Sequence, residues 1–328
     1  MTVKLADIAK HLGMSVSTVS RVINEKDRVS DETRRRVLEA VEELNYRPNE
    51  IARSLRKRNS MTIGVIVPDL SNNFFNLLTK GATMVAKDNN YLTILCNSDY
   101  DQKVEQDYMN LLIQKQVDGV ILATVSKEKK YFQNIINRRH PVVFVDNLPD
   151  EELKYNYVTI DNEKASYDLT NHLIQRGYKE IAILTGNLHE TSAVKRLRGW
   201  KNAMTSHGLS INEKFIGIGD FQIESGYKMM MAMLNRKKRP HAVLAANNYL
   251  AYGAIKAAQA KGLSVPGDLY VVCFDAVDNT GLMNIKIPSI IQPAQKIGEV
   301  AADTLINRMK NKNFSVYDNI ILEPLFKT

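Results

Sequence analysis

Residues 13–25 read GMSVSTVSRVINE. Wound as a helix, the stretch brings Val19, Val22 and Ile23 to one face at i, i+3 and i+4, and Ser17, Ser20 and Arg21 to the opposite face with the same spacing. Something buries the valines, and a face of two short hydroxyls and one arginine is left to meet something else. Upstream, Leu5, Ile8, Ala9 and Leu12 repeat with helical period; Gly13 stands where a tight turn wants a positive φ. Downstream, Ser30 is a good N-cap, with Asp31 and Glu32 at the positive helix end and Val37, Val41 and Leu44 on one face. The order of small Ala9, turning Gly13 and seam-filling Val19 is that of a helix-turn-helix inside a bundle of three helices. On this reading the Ser17, Ser20 and Arg21 face enters a major groove. There the hydroxyls permit close approach and Arg21 can bond a guanine edge with two donors.

The charge distribution agrees. The chain of 328 residues has a net charge of +8, and residues 1–60 hold 13 basic against 9 acidic side chains, half of the excess. The segment PNEIARSLRKRNS, residues 48–60, follows as a short helix candidate ending in Arg56, Lys57 and Arg58. A helix that short is marginal alone, so it reads as a linker that orders when held.

From Met61 the texture changes to short apolar runs alternating with amphipathic stretches. TIGVIVP (62–68), YLTILC (91–96), GVILATV (119–125) and PVVFVD (141–146) form one set of strand candidates. EIAILTG (180–186), FIGIGD (215–220), AVLAANN (242–248) and LYVVCFD (269–275) form a second. Alternation with helical segments predicts α/β architecture: two doubly wound, parallel-sheet lobes. Cys96 and Cys273 sit within apolar runs and read as small buried thiols.

KLADIAKHLGMSVSTVSRVIN (4–24), YRPNEIARSL (46–55), IGVIVPDLSNNFF (63–75), RLRGW (196–200), AANN (245–248) and FDA (274–276) together resemble the LacI/GalR family of bacterial transcription regulators, and the resemblance runs to the last strand. It implies periplasmic-binding-protein-type lobes and four segments: helix-turn-helix domain 1–47, hinge 48–60, first lobe 61–160 with 292–319, and second lobe 161–291 with 320–328. It implies base contacts from Val16, Ser17 and Arg21, and phosphate contacts from Thr18, Asn24, Ser30 and Thr33. In the hinge it implicates Asn49, Arg53 and Leu55, the last as a wedge in the minor groove. Helical periodicity alone puts Val16 at the margin of the buried face, so its base contact rests on resemblance.

In the lobes the resemblance implies a small-molecule effector, a sugar or sugar derivative, in the cleft between them. Arg196 would contact ligand oxygens, Asn247 and Asp275 would lie at strand ends, and Phe221 would stack; Phe74, Asp146 and Gln292 complete the set. The sequence departs from the family at Asn248 and Ala276, where carboxylates are usual, and at Asn73, where proline is usual. Arg196 beside Lys195 and Arg198 would suit an acidic sugar, such as a sugar phosphate or uronate.

Partners expected on this basis are a palindromic operator, the effector and a second copy of the chain; neither a cofactor nor a metal is expected. A dimer is expected because ILEPLFKT (321–328) follows the last predicted strand with no leucine-heptad tail. Cytoplasmic location is expected from an N-terminus without a signal-peptide pattern and the lack of an apolar run long enough for a membrane. An enzyme finds no support: GxxxxGK[ST], GxSxG and HExxH are missing, and the six histidines have no metal-ligand spacing. The rivals are a sugar-binding transport protein, which the lobes alone would fit, and a regulator answering to a phosphorylated carrier protein instead of a sugar.

Overall fold

The computed structural model describes residues 3–23, 29–46, 59–137, 140–149, 152–276, 286–311 and 317–328. The chain divides into two compact units, residues 1–60 and 61–328.

In the first unit, α1 (Leu5–Leu12), α2 (Val16–Ile23) and α3 (Asp31–Glu43) enclose a core of Ile8, Ala9, Val19, Val22, Val37 and Ala40. Each boundary has a local cause. Asp7 Oδ2 accepts the Lys4 amide at 2.7 Å at the start of α1, and Gly13, at φ +63°, turns the chain out of it. Ser15 caps α2 by accepting the Thr18 amide at 3.2 Å, and Ser30 caps α3 by accepting the Thr33 amide at 3.4 Å. With so small a core, each fully buried valine contributes about 1.5–3 kcal/mol.

The second unit holds two six-stranded sheets. The first contains β1 (Thr62–Val67), β2 (Leu92–Asn97), β3 (Gly119–Leu122), β4 (Val142–Val145), β5 (Asn156–Ile160) and β11 (Asn319–Leu322), in the order β11-β5-β4-β3-β1-β2. The second contains β6 (Ile181–Thr185), β7 (Ile216–Ile218), β8 (Ala242–Ala245), β9 (Tyr270–Phe274), β10 (Ser289–Ile291) and β12 (Leu325–Lys327), in the order β12-β10-β9-β8-β6-β7. Every pairing is parallel except β10 with β12. The described helices of this unit are α4 (Asn73–Asp88), α5 (Gln102–Gln114), α6 (Lys129–Asn137), α7 (Asn162–Gln175), α8 (Thr191–Ser206), α9 (Ile223–Leu234), α10 (Asn248–Ala260) and α11 (Ala294–Asn311).

Eight strands were expected and twelve are present among the described residues. β5, β10, β11 and β12 carry runs of only two or three consecutive apolar residues, too short to show against the background. One expected boundary moves. Residues 320–328 do not all belong to the second lobe, because Ile320–Leu322 pair with Val158–Ile160 in the first sheet and the chain crosses only before Leu325. Helices close over the sheets through small residues: a Cβ on Gly81 would stand 2.0 Å from the Gln295 carbonyl, and one on Gly298 1.9 Å from that of Leu78. That close approach locks α4 to α11.

Strand order reverses between β1 and β3 in one sheet and between β6 and β8 in the other. Loops after the carboxyl ends of strands at such points diverge and leave a crevice.

Candidate functional site

A cleft encloses about 410 Å³ of space open to solvent, and its walls come from loops after strand ends in both lobes. Phe74 follows β1, Asp146 follows β4, Arg196 lies on α8 after β6, Phe221 follows β7, and Asn247, Asp275 and Gln292 follow β8, β9 and β10. All seven residues expected at a ligand site therefore line one cavity. Asp146, Phe221 and Asp275 have φ of 61°, 63° and 58°, left-handed turns that lift each side chain off its strand.

Arg196 is the centre of the arrangement and is only 4% exposed. Its Nε donates to Asn162 Oδ1 at 2.8 Å, Nη1 donates to the Ala246 carbonyl, and the guanidinium lies 3.9 Å over the Phe274 ring. Nη2 is buried and has no hydrogen-bond partner among the described residues. A buried donor without a partner costs about 1–3 kcal/mol, so a ligand oxygen there would be held strongly.

Around it the charge is acidic. Burial pushes the Asp146 carboxyl up to about 6, with Arg196 opposing and Asp275 reinforcing the shift. Burial also raises Asp275, although Gln292 donates both its amide N–H, at 2.8 Å to Oδ1, and its side-chain Nε2, at 2.6 Å to Oδ2. Burial pulls the Arg196 guanidinium down, with Asp146, Asp275 and Glu190 working against it.

Six further residues line the cleft, Asn72, Phe75, Tyr100, Glu190, Ser192 and Asn248, and two of them, Tyr100 and Glu190, bring titratable groups that the sequence reading missed. Tyr100 follows β2, and burial followed by the neighbouring Glu190 pushes its phenol well above its usual range. Glu190 is pushed up to about 7, chiefly by burial, while a 2.8 Å hydrogen bond from Asn147 Nδ2 pulls the other way. Neither stands in a motif, and only the fold brings them to the cleft. Asn247 plays a more structural part than expected. Its Oδ1 caps α10 by accepting the Leu250 amide at 2.8 Å and its Nδ2 donates to the Phe221 carbonyl at 2.9 Å, so it holds the aromatic wall in place. Lys195 and Arg198 do not line the cleft, and Arg198 reaches Glu163 at 3.5 Å on the surface.

In the first unit, Val16 is 48% exposed and stands off the core, and not at the margin of the buried face that helical periodicity suggests. Ser17 and Arg21 are exposed and Ser20 is half-buried. Thr18 and Thr33 hydroxyls are tied to their capping serines at 2.8 and 2.9 Å, with Ser30 exposed. Asn24, Asn49, Arg53 and Leu55 lie outside the described residues.

The family model described as "Bacterial regulatory proteins, lacI family" matches residues 4–49, and that described as "Periplasmic binding proteins and sugar binding domain of LacI family" matches residues 60–327. The chain belongs to the LacI family. It is a DNA-binding transcriptional regulator, and the transport-protein reading falls with the match of its N-terminal unit. Among LacI-family relatives, catabolite control protein A of Priestia megaterium is 35% identical over 99% of this chain and 97% of its own. The ribose operon repressor of Haemophilus influenzae is 34% identical over 98% of this chain and 96% of its own. The lac repressor dimer bound to operator and the anti-inducer ONPF superposes with a TM-score of 0.88 at 26% identity, covering 100% of this chain and 98% of that one. Among the described residues, no helix is long and apolar enough to cross a membrane.

Proposed function

We propose that the chain represses transcription in the cytoplasm by binding a two-fold-symmetric operator as a dimer, and that a polyhydroxylated effector in the interlobe cleft sets its affinity for that operator. The observation that carries the effector reading is the buried Arg196 with one unpartnered donor in an open cleft at strand ends. Aromatic Phe74 and Phe221 offer apolar faces to a sugar ring, and Asp146 offers acceptors to its hydroxyls. The ribose operon repressor among the relatives supports a sugar, and regulators as relatives support a role without catalysis. Val16, Ser17 and Arg21 read bases, Thr18, Ser30, Thr33 and Asn24 fix register on phosphates, and the hinge of residues 48–60 reaches DNA through Asn49, Arg53 and Leu55.

Two sets of bonds join the lobes across the cleft. Asn147 Oδ1 accepts the Ser192 amide at 3.1 Å and Thr191 Oγ1 accepts the Leu148 amide at 2.8 Å, whereas Asn72 Nδ2 reaches Asn248 Oδ1 only at 3.3 Å and Ser71 Oγ and Tyr249 Oη stand 3.4 Å apart. A ligand that favours one lobe arrangement shifts the balance of these bonds and, by linkage, operator affinity.

Dimerisation is supported by the edges of the sheets. β2 and β7 occupy the same end of the two strand orders, and there Leu92 is 67%, Leu95 45% and Ile218 53% exposed. An apolar sheet edge left in water invites a partner, and a second copy supplies the same surface. Operator titrations across a salt series, with and without a sugar that raises the melting temperature, test the proposal: operator affinity must change with ligand, and an Arg196→Ala variant must lose that response.

A further inference from the structure

Resting on the reading of the cleft as the effector site, we propose that the ligand is a polyol bearing a protonated amine, and that Glu190 is the residue that selects the ammonium. The cleft holds three carboxylates, on Asp146, Glu190 and Asp275, against one lining cation, Arg196. Among the described residues, none of the three carboxylates takes part in an ion pair. They are not gathered as a metal site either, since no group of three or more His, Cys, Asp or Glu among the described residues could hold a metal ion.

The three acids are engaged differently. Gln292 donates to both oxygens of Asp275, so that carboxylate is fixed within the second lobe. Glu190 occupies the N-cap position of α8 but makes no capping bond to its own helix. Its Oε2 instead accepts from Asn147 Nδ2, a neutral donor, and Oε1 accepts no hydrogen bond among the described residues. Lys127 and Arg196 are the cations whose charge Glu190 senses, with Asp146 opposing them. Arg196 is fixed by Asn162, Ala246 and Phe274, which leaves Nη2 for a ligand hydroxyl, while Phe74 and Phe221 take the apolar ring face. An acidic ligand would add negative charge where burial already resists the ionisation of Asp146 and Glu190. An ammonium favours that ionisation and gains charge-assisted hydrogen bonds.

The test uses the full-length chain at pH 7 and titration calorimetry with matched sets: glucose, galactose and mannose, their 2-amino counterparts, and glucuronate and galacturonate. At least one amino sugar is expected to bind at least about tenfold tighter than its neutral parent, with the uronates weakest. Glu190→Gln should collapse that ratio to within about twofold, and Glu190→Asp should retain part of it. A merely structural role for Glu190 would weaken both members of a pair and leave the ratio in place. Neutral sugars binding as tightly as their amino counterparts, uronates binding tightest, or an unchanged ratio in Glu190→Gln each overturn the proposal while the cleft reading stands. No binding by any of the three classes, with operator affinity also indifferent to them, removes the cleft reading and the proposal with it.

Discussion

A single methyl group added at Gly186 should cripple the cleft. Gly186 follows β6, and a Cβ built there would stand 2.0 Å from Cε2, 2.2 Å from Cδ2 and 2.5 Å from Cζ of Phe221. Ordinary carbon contacts lie near 3.5–4.0 Å, so the ring must retreat by about 1.5 Å. It has little room to do so. Phe221 is 5% exposed, its backbone stands at φ +63°, and its carbonyl is held by Asn247 Nδ2 at 2.9 Å. Overpacking of this kind costs about 1–3 kcal/mol, and in a unit of this size each kcal/mol lowers the melting temperature by about 2–4 °C. Gly186→Ala should therefore melt lower by about 2–12 °C and bind its sugar at least about tenfold more weakly, because the displaced ring is the cleft wall. Calorimetry and thermal melts of the full-length protein measure both. The double variant Gly186→Ala with Phe221→Leu removes the clash, so it should recover stability without recovering affinity. A Gly186→Ala variant that melts within a degree of the parent and binds sugar unchanged would refute the reasoning.

Acidification should stabilise the ligand-free protein. Asp146 and Glu190 have folded-state pKa values raised to about 6 and about 7, so the stability their protonation provides is complete below about pH 4 and is lost as pH rises through those values. Glu105, buried and raised to about 7, acts in the same direction, so melting temperature should fall between pH 5 and pH 8, less steeply in Glu190→Gln; a flat or rising profile would contradict this. In the first unit, Val16→Ala should leave melting unchanged and weaken discrimination between operator sequences in gel-shift assays. Val19→Ala, fully buried, should destabilise the unit by about 2 kcal/mol. Leu95→Asp should convert the dimer to monomers in light scattering, and a variant that stays dimeric would move the interface away from β2.

Much of the fold was legible because its causes are local. The valine spacing of α2, the Gly13 turn and the serine caps act within a few residues of one another. The eight expected strands announce themselves because they lie in continuous apolar stretches, as parallel strands buried on both faces do. β5, β10, β11 and β12 offer only two or three consecutive apolar residues each, and the placement of Ile320–Leu322 in the first sheet depends on a pairing with Val158–Ile160 that no local signal encodes.

The cleft divides in the same way. Arg196, Asp275 and Phe221 were legible in motifs of the chain, but their surroundings were not. The opposing acid of Glu190, the phenol of Tyr100 and the diversion of the Asn247 amide to α10 and Phe221 arise where loops from different strand ends converge. Val16 marks the same division in the first unit. Helical period could rank it only as marginal, because a period fixes the angle around a helix but not where the neighbouring helices end. The packing of α1 and α3 on α2 decided the matter, covering Val19 and Val22 and leaving Val16 exposed at the start of the helix.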